Sequence, residues 1–320
     1  MNYKPIIVVA GEPNSIFLEI FFKSKKKIKL KNPLILIASK ELVLLHMKKL
    51  GFKYEINSLT KNEINFKSLD KRKINLIDIK FKFNKPFDKI SEKSNNFINK
   101  SFNVALKILK TKNCSGLING PISKKHFLKG KSLGITEYLS KKTKKKDVAM
   151  VIYDKKLSVS PITTHLPLKN VDKFITKKKI YTQVKLITKF YKENFKKKPK
   201  IAITGLNPHC ESNFKNSEED KIIIPTITKL NKKNYKVKGP FPADTIFLKE
   251  NLKKFDVIVG MYHDQVLTPM KALFGFNAIN ITLGLPFTRI SPDHGPNSSM
   301  LGKNLSNPQS LINALKFLDR

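Results

Sequence analysis

A chain of 320 residues, 40% of them hydrophobic, can bury a sizeable core as two domains or as one large α/β unit, and its composition excludes a disordered polymer. The formal net charge of +39 would ordinarily raise nucleic acid or an anionic membrane as a partner. Only Arg72, Arg289 and Arg320 are arginine, however, and the lysines are scattered along the whole length among isoleucine and asparagine, which reads as a solvated coat and not as a nucleic-acid surface.

Ile6 to Ala10 is a short β-branched run, expected as a buried strand, and the polar turn Gly11 to Asn14 follows it. No basic n-region or cleavage site accompanies it, so no signal peptide is read. Ser15 is expected to cap a helix carrying Ile16, Ile20 and Phe21 on one face. Pro33 to Ala38 is the next strand, and Ser39 the N-cap of a helix that runs to Leu50 and ends at Gly51. Residues 52–93 are rich in lysine and asparagine; within them Ile74 to Phe83 alternates as a strand does. Apolar positions from Ile98 to Leu109 mark an amphipathic helix over Asn95 to Lys110, leading into a strand from Cys114 to Asn119.

Val148 to Tyr153 and Leu157 to Thr163 are two further strands, followed by one long helix from Val171 to Phe195 and a strand from Lys200 to Leu206. Ser217, with Glu218, Glu219 and Asp220 behind it, is a capped helix start. Val257 to Val259 opens another strand, and Asn307 to Leu318 is a closing helix. The alternation of strands and helices predicts α/β architecture with a largely parallel sheet, and length suggests two domains with a cleft between them. Cys114 and Cys210 are too few for a disulfide framework and fit a reducing compartment; no apolar run approaches a membrane span. A cytoplasmic protein is expected.

Three histidines share one local context. His165 ends the run LSVSPITTH, His209 follows IAITGLNP, and His263 follows FDVIVGMY within the polar cluster Tyr262, His263, Asp264, Gln265. In open α/β sheets the carboxyl ends of strands line the ligand crevice. Three neutral imidazoles with an open position would make a catalytic divalent metal site, zinc being the usual occupant. His46 and His126 are read as structural. Asp244, in a proline-bounded loop, is either an N-cap for the following helix or a catalytic or supporting carboxylate. Cys210 beside His209 reads as a ligand or as a buried apolar side chain.

An anion site is the second signal. In a chain this poor in arginine, Arg289 stands out, and a guanidinium suits bidentate phosphate or carboxylate binding. Lys271 adds charge and Asn280, at a strand end, an amide donor. Neither a Rossmann fingerprint nor a P-loop occurs.

The strings GEPNSI, NGPISK, GITEYL, TTHLPL, GLNPHCE, GPFPADT, YHDQVL and NITLGLPFTRISPDHG, in that order, resemble the 4-hydroxythreonine-4-phosphate dehydrogenase family of pyridoxal phosphate biosynthesis. The resemblance implies a homodimer of two-domain α/β/α subunits of the isocitrate and isopropylmalate dehydrogenase type. It implies a divalent metal, zinc or else magnesium or cobalt, on His165, His209 and His263, in a site shared between subunits. Thr136, Lys271, Asn280 and Arg289 would contact a small phosphorylated substrate, and Asp293, His294 and Gly295 would lie near the cofactor, NAD or NADP. The domains expected on this basis are 1–125 plus 268–320 and 126–267. Where the family has a substrate-contacting histidine, this chain has Ile135; Asn14, Ser15, Phe17, Pro296 and Asn297 also depart from its pattern.

Residues and resemblance together suggest NAD(P)-dependent oxidation of 4-phosphohydroxy-L-threonine to a 3-oxo acid, which decarboxylates to 3-amino-2-oxopropyl phosphate. Asp244 or Asp264 would be the proton acceptor or a supporting partner. Relatives acting on phospho-threonate, phospho-erythronate or a cyclic diol share much of the pattern. Two readings from other classes stay open: a three-histidine metal hydrolase, which needs no dinucleotide, and a basic nucleic-acid-binding protein, whose binding would depend steeply on salt.

Overall fold

The β-branched run at the N-terminus forms strand β1 (Ile6–Val9), buried along its length, in the computed structural model, which describes every residue except 1–2, 61–63, 129–131, 133, 211–215, 276 and 293. The chain divides into a first unit, Met1–Tyr138 with Pro286–Arg320, and a second unit, Leu139–Leu285.

In the first unit β1 is followed by α1 (Phe17–Lys27), β2 (Leu34–Ala38), α2 (Lys40–Leu50), β3 (Ile56–Leu59), β4 (Ile74–Asp78), α3 (Asn95–Leu109) and β5 (Gly116–Asn119). Ser39 caps α2 by accepting from the Leu42 amide, and Gly51 ends it at φ +73°, as the sequence suggests. Ser15 lies one residue before the N-cap of α1; its hydroxyl accepts from the Phe17 amide and donates to the Glu12 carbonyl. The alternation expected from Ile74 to Phe83 appears in burial only in its second half, with Ile79 and Phe81 buried around exposed Lys80, whereas Ile74 to Ile77 are all buried. The ladder nevertheless stops at Asp78, so only the first half is strand.

Helix α4 (Ile135–Thr143) carries the chain across the boundary between units. The second unit continues with β6 (Ala149–Tyr153), β7 (Ser158–Thr163), α5 (Val171–Phe174), α6 (Lys177–Phe195), β8 (Ile201–Thr204), α7 (Ile224–Lys232), β9 (Val237–Phe241), α8 (Lys249–Leu252), β10 (Val257–Tyr262), α9 (His263–Phe274) and β11 (Ile279–Leu283). The helix expected from Val171 to Phe195 is two helices. Ile175 is extended, and Thr176 starts α6 afresh by accepting from the Lys179 amide. The Ser217 hydroxyl accepts from the Asp220 amide as expected, ahead of a π-helical turn at Glu219–Ile223 that runs into α7.

The first unit resumes with β12 (Arg289–Pro292) and α10 (Gln309–Leu318). Its strands lie in the order β3-β4-β2-β1-β5-β12 and every pairing is parallel. The second unit has the order β11-β6-β7-β10-β8-β9. There β7, β10, β8 and β9 are parallel, whereas β6 runs antiparallel to both β7 and β11. A sheet covered on both faces explains why β1, β5, β7 and β8 read as continuous apolar or small-residue runs. Met150, Ile152, Val159, Ala202, Ile258 and Val266 belong to one buried cluster of the second unit.

The unit boundaries differ from the expected 1–125 plus 268–320 and 126–267. Residues 268–285 stay in the second unit because β11 completes its sheet through β6, and α9 contributes Met270 to its core.

Candidate active site

The three histidines follow three adjacent parallel strands of the second unit. His165 lies two residues beyond β7, His209 in a short 3-10 turn (Pro208–Cys210) after β8, and His263 is the first residue of α9, directly after β10. His165 and His209 adopt left-handed backbone, at φ +51° and +56°, and Cys210 follows at +59°. Residues other than glycine seldom hold that region, although asparagine, aspartate and histidine enter it more often than the rest.

The structure brings His165 and His263 together, with ring centroids 5.6 Å apart. His263 Nδ1 lies 2.6 Å from Asp264 Oδ1. His209 is exposed, and among the described residues of this chain no group of three His, Cys, Asp or Glu side chains is placed to hold a metal. Two neighbouring imidazoles suit a borderline cation, and a carboxylate on one ring is the usual support of a ligating histidine; the pair fits a metal, and among the described residues no third His, Cys, Asp or Glu side chain joins it.

Hydrogen bonds tie the three strand ends to one another. Thr163 Oγ1 donates to the Met261 carbonyl (2.8 Å), linking the ends of β7 and β10. Gln265 Oε1 accepts from the Met261 amide (2.7 Å) and from Thr204 Oγ1 (2.7 Å), and its Nε2 donates to the Gly205 carbonyl (2.8 Å). Glu219 Oε1 accepts from the amides of Leu206 (2.7 Å) and Asn207 (3.0 Å), and Oε2 from Asn207 Nδ2 (2.8 Å). Burial pushes the Glu219 carboxyl up, but these donors outweigh it and hold the group below the ordinary range. Gln265 was visible in the sequence as a member of the polar cluster after β10; Glu219 read only as a residue near a helix start.

Lys271 is half-buried in the last turn of α9. On β11, Asn280 donates from Nδ2 to the thioether of Met150 (3.4 Å), a weak acceptor, and its Oδ1 is buried with no hydrogen-bond partner among the described residues. An amide left in that condition suits a ligand. Asp244 is exposed in the turn after β9 and does not cap α8, whose N-cap is Leu248, so the structural alternative for Asp244 falls away.

Arg289 and Thr136 lie in the first unit. Arg289 opens β12, is fully buried, and donates from Nε to Asn119 Oδ1 (2.7 Å) at the end of β5. Burial opposes its positive charge and the nearby carboxylate of Glu137 supports it. Thr136 and Glu137 are half-buried in the first turn of α4. Sequence reasoning missed Asn119, which carries no signal beyond its place at a strand end.

The first unit also holds a cavity of about 1010 Å³ at the carboxyl ends of β2 and β4, lined among others by Asn14, Ser39, Asp78, Phe81, Lys89 and Lys93. Asn14 is 5% exposed and its Oδ1 has no hydrogen-bond partner among the described residues. The Ile16 amide, two residues on, donates to the Pro296 carbonyl (3.2 Å), which sets the segment His294–Gly295 next to the same turn. Asp293 lies outside the described residues. The bland expectations for the remaining histidines agree with their places: His46 is 1% exposed against the Phe87 ring, and His126 sits in a π-helical turn, Lys124–Leu128.

The family model described as pyridoxal phosphate biosynthetic protein PdxA matches residues 29–318. A 4-hydroxythreonine-4-phosphate dehydrogenase from Sulfurihydrogenibium sp. is 38% identical, over 98% of this chain and 96% of that protein. The crystal structure of a 4-hydroxythreonine-4-phosphate dehydrogenase from Klebsiella pneumoniae is similar with a TM-score of 0.83 at 27% identity, over 98% of both chains. An isocitrate dehydrogenase from Methylococcus capsulatus, at 9% identity and a TM-score of 0.50, covering 97% of this chain and 83% of that one, shares the fold alone.

Proposed function

Because this chain belongs to the family of pyridoxal phosphate biosynthetic protein PdxA and is a dehydrogenase, we propose that it oxidises 4-phosphohydroxy-L-threonine, using NAD or NADP and a divalent metal. The observation that carries the reading is the pairing of His165 with His263 at neighbouring strand ends, one ring backed by Asp264. When bound, the metal would polarise the substrate's hydroxyl and the dinucleotide would accept its hydride. His165, His209 and His263 are the ligands, in the neutral form.

Asp264 keeps the Nδ1 of His263 protonated and so leaves Nε2 as the ligating atom. Lys271 and the amide of Asn280 bind phosphate oxygens. Arg289, fully buried at the start of β12, is a further candidate for contact with an anionic group of the substrate. Asp244, exposed and uncommitted to a helix cap, is the candidate proton acceptor. Ile135 replaces a polar substrate contact with an apolar one.

The dinucleotide belongs with the first unit. Its cavity lies where ligands bind in parallel α/β sheets, and the buried amide oxygen of Asn14 and the neighbouring segment His294–Gly295 line its approach. The protein is read as a cytoplasmic homodimer whose metal set is completed by a second copy. That the described residues of one chain bring no third ligand to the pair supports this, as do Leu168 and Leu248, apolar side chains of the second unit that are 72% and 57% exposed. Among the described residues neither Cys114 nor Cys210 forms a disulfide, which fits a reducing compartment, and no helix is long and apolar enough to cross a membrane.

The test is reduction of NAD and of NADP with 4-phosphohydroxy-threonine, set beside phospho-threonate and phospho-erythronate, with and without a chelator. Chelator-sensitive turnover fastest on the first substrate is expected. Faster turnover on another acid would move the substrate assignment, and turnover indifferent to the chelator would remove the metal. Sharing is tested separately by co-expressing His209→Ala with His263→Ala: the mixture should turn over although neither variant does alone, and an inactive mixture would place each site within one chain.

A further inference from the structure

We propose that Gln265 is the positioning residue that fixes the turn bearing His209 against the turn bearing His263. The inference rests on the assignment of both histidines to a metal. Gln265 is the third residue of α9, where a glutamine side chain can reach back to the backbone at the helix start. It does so here, accepting from the Met261 amide, and the same oxygen takes the Thr204 hydroxyl. Its Nε2 closes onto the Gly205 carbonyl. One buried carboxamide therefore satisfies groups on two strand ends at once: Met261, two residues before His263, and Thr204 with Gly205, which open the turn to His209.

The fit depends on both halves of the amide. A carboxylate could keep the two bonds to Oε1 but would set an oxygen against the Gly205 carbonyl, two acceptors with no proton between them. Gly260 leaves the room, because a Cβ there would stand 3.0 Å from Gln265 Oε1 and 2.4 Å from Val266 Cγ1. Beyond Gly205, the hydrogen bonds of Glu219 to Leu206 and Asn207 continue the brace to within one residue of Pro208. The segment from Thr204 to Asn207 that leads into His209 is thus held by two side chains, Gln265 and Glu219, and an imidazole that follows a segment braced in this way keeps its direction.

The experiment titrates the intact protein with Co²⁺, following the visible ligand-field spectrum and affinity, and compares the parent with Gln265→Glu, Thr204→Val and His209→Ala. Gln265→Glu should weaken Co²⁺ binding about 10–100-fold and alter the spectrum at temperatures where the variant is folded, and Thr204→Val, which removes one bond without adding charge, about 3-fold. A purely structural role would lower the melting temperature and leave affinity and spectrum unchanged, and that result overturns the inference. If Gln265→Glu does not fold, Thr204→Val decides by the same criterion. A parent that binds no Co²⁺, or His209→Ala binding as tightly as the parent, would sink the metal assignment itself and the inference with it; parent-like Gln265 and Thr204 variants beside a defective His209→Ala would sink the inference alone.

Discussion

The Nδ1 of His263 and the Oδ1 of Asp264, neighbours in the chain, stand 2.6 Å apart at the start of α9. The carboxylate fixes which ring nitrogen carries the proton and how the ring is turned. Asp264→Ala should therefore lower metal affinity by about 10–100-fold, read by competition with a chromophoric chelator. The Asp264 side chain is 78% exposed, so the unfolding free energy should stay within about 0.5 kcal/mol of the parent.

His46 gives a pH dependence that has nothing to do with the site. It is buried on α2 against Phe87, neither ring nitrogen has a hydrogen-bond partner among the described residues, and burial pulls its pKa from 6.5 down to about 4. The unfolded chain takes up the proton first on acidification, so stability is full above about pH 6.5 and declines as pH falls toward 4. The loss from this one group is up to about 3 kcal/mol. His46→Leu should flatten that part of the profile in urea titrations across the window; an unchanged slope would assign it to other groups.

Gly120 tolerates no side chain. A Cβ there would lie 2.2 Å from the Ala10 carbonyl oxygen and 2.6 Å from the Phe17 ring, a backbone atom and a buried aromatic that cannot step aside. Gly120→Ala should cost about 3 kcal/mol, measured by chemical denaturation. Gly295, by contrast, has nothing within 4 Å of a built Cβ. Gly295→Ala should leave stability unchanged and raise KM for the nicotinamide cofactor about 10-fold, a loss of about 1.4 kcal/mol.

Lys271→Ala should lower kcat/KM for the phosphorylated substrate by about 10–100-fold, the loss of one charge-assisted hydrogen bond. The effect should shrink for a substrate lacking the phosphate. An equal loss on both would mean that Lys271 acts elsewhere than on the phosphate.

Much of this was legible in the sequence because it is local. Ser39, Gly51 and Ser217 each announce a helix end through chemistry confined to a few residues, and the strand-end histidines announce themselves through the apolar runs before them. What stayed hidden depends on pairing at long range. The antiparallel turn from β6 to β7 is local, but the pairing of β6 with β11 is not, and the sequence of β11 resembles any buried strand. The partnership of Asn119 with Arg289 spans most of the chain and leaves no periodic trace. The break at Ile175 was masked because the residues on either side share one helical pattern, and the turn there shows only in the backbone.

The first unit begins at the N-terminus, is interrupted by the whole second unit, and is completed only by β12 and α10. On the ribosome the order of completion is therefore the reverse of the order of initiation. The second unit can close its sheet as soon as β11 emerges, while the first still lacks the strand beside β5 and the helix whose Leu311 and Leu315 are buried in it. Until β12 is made, the unit that started first has an open sheet edge beside β5, and a chain lacking α10 would leave uncovered the hydrophobic surface on which Leu311 and Leu315 are buried.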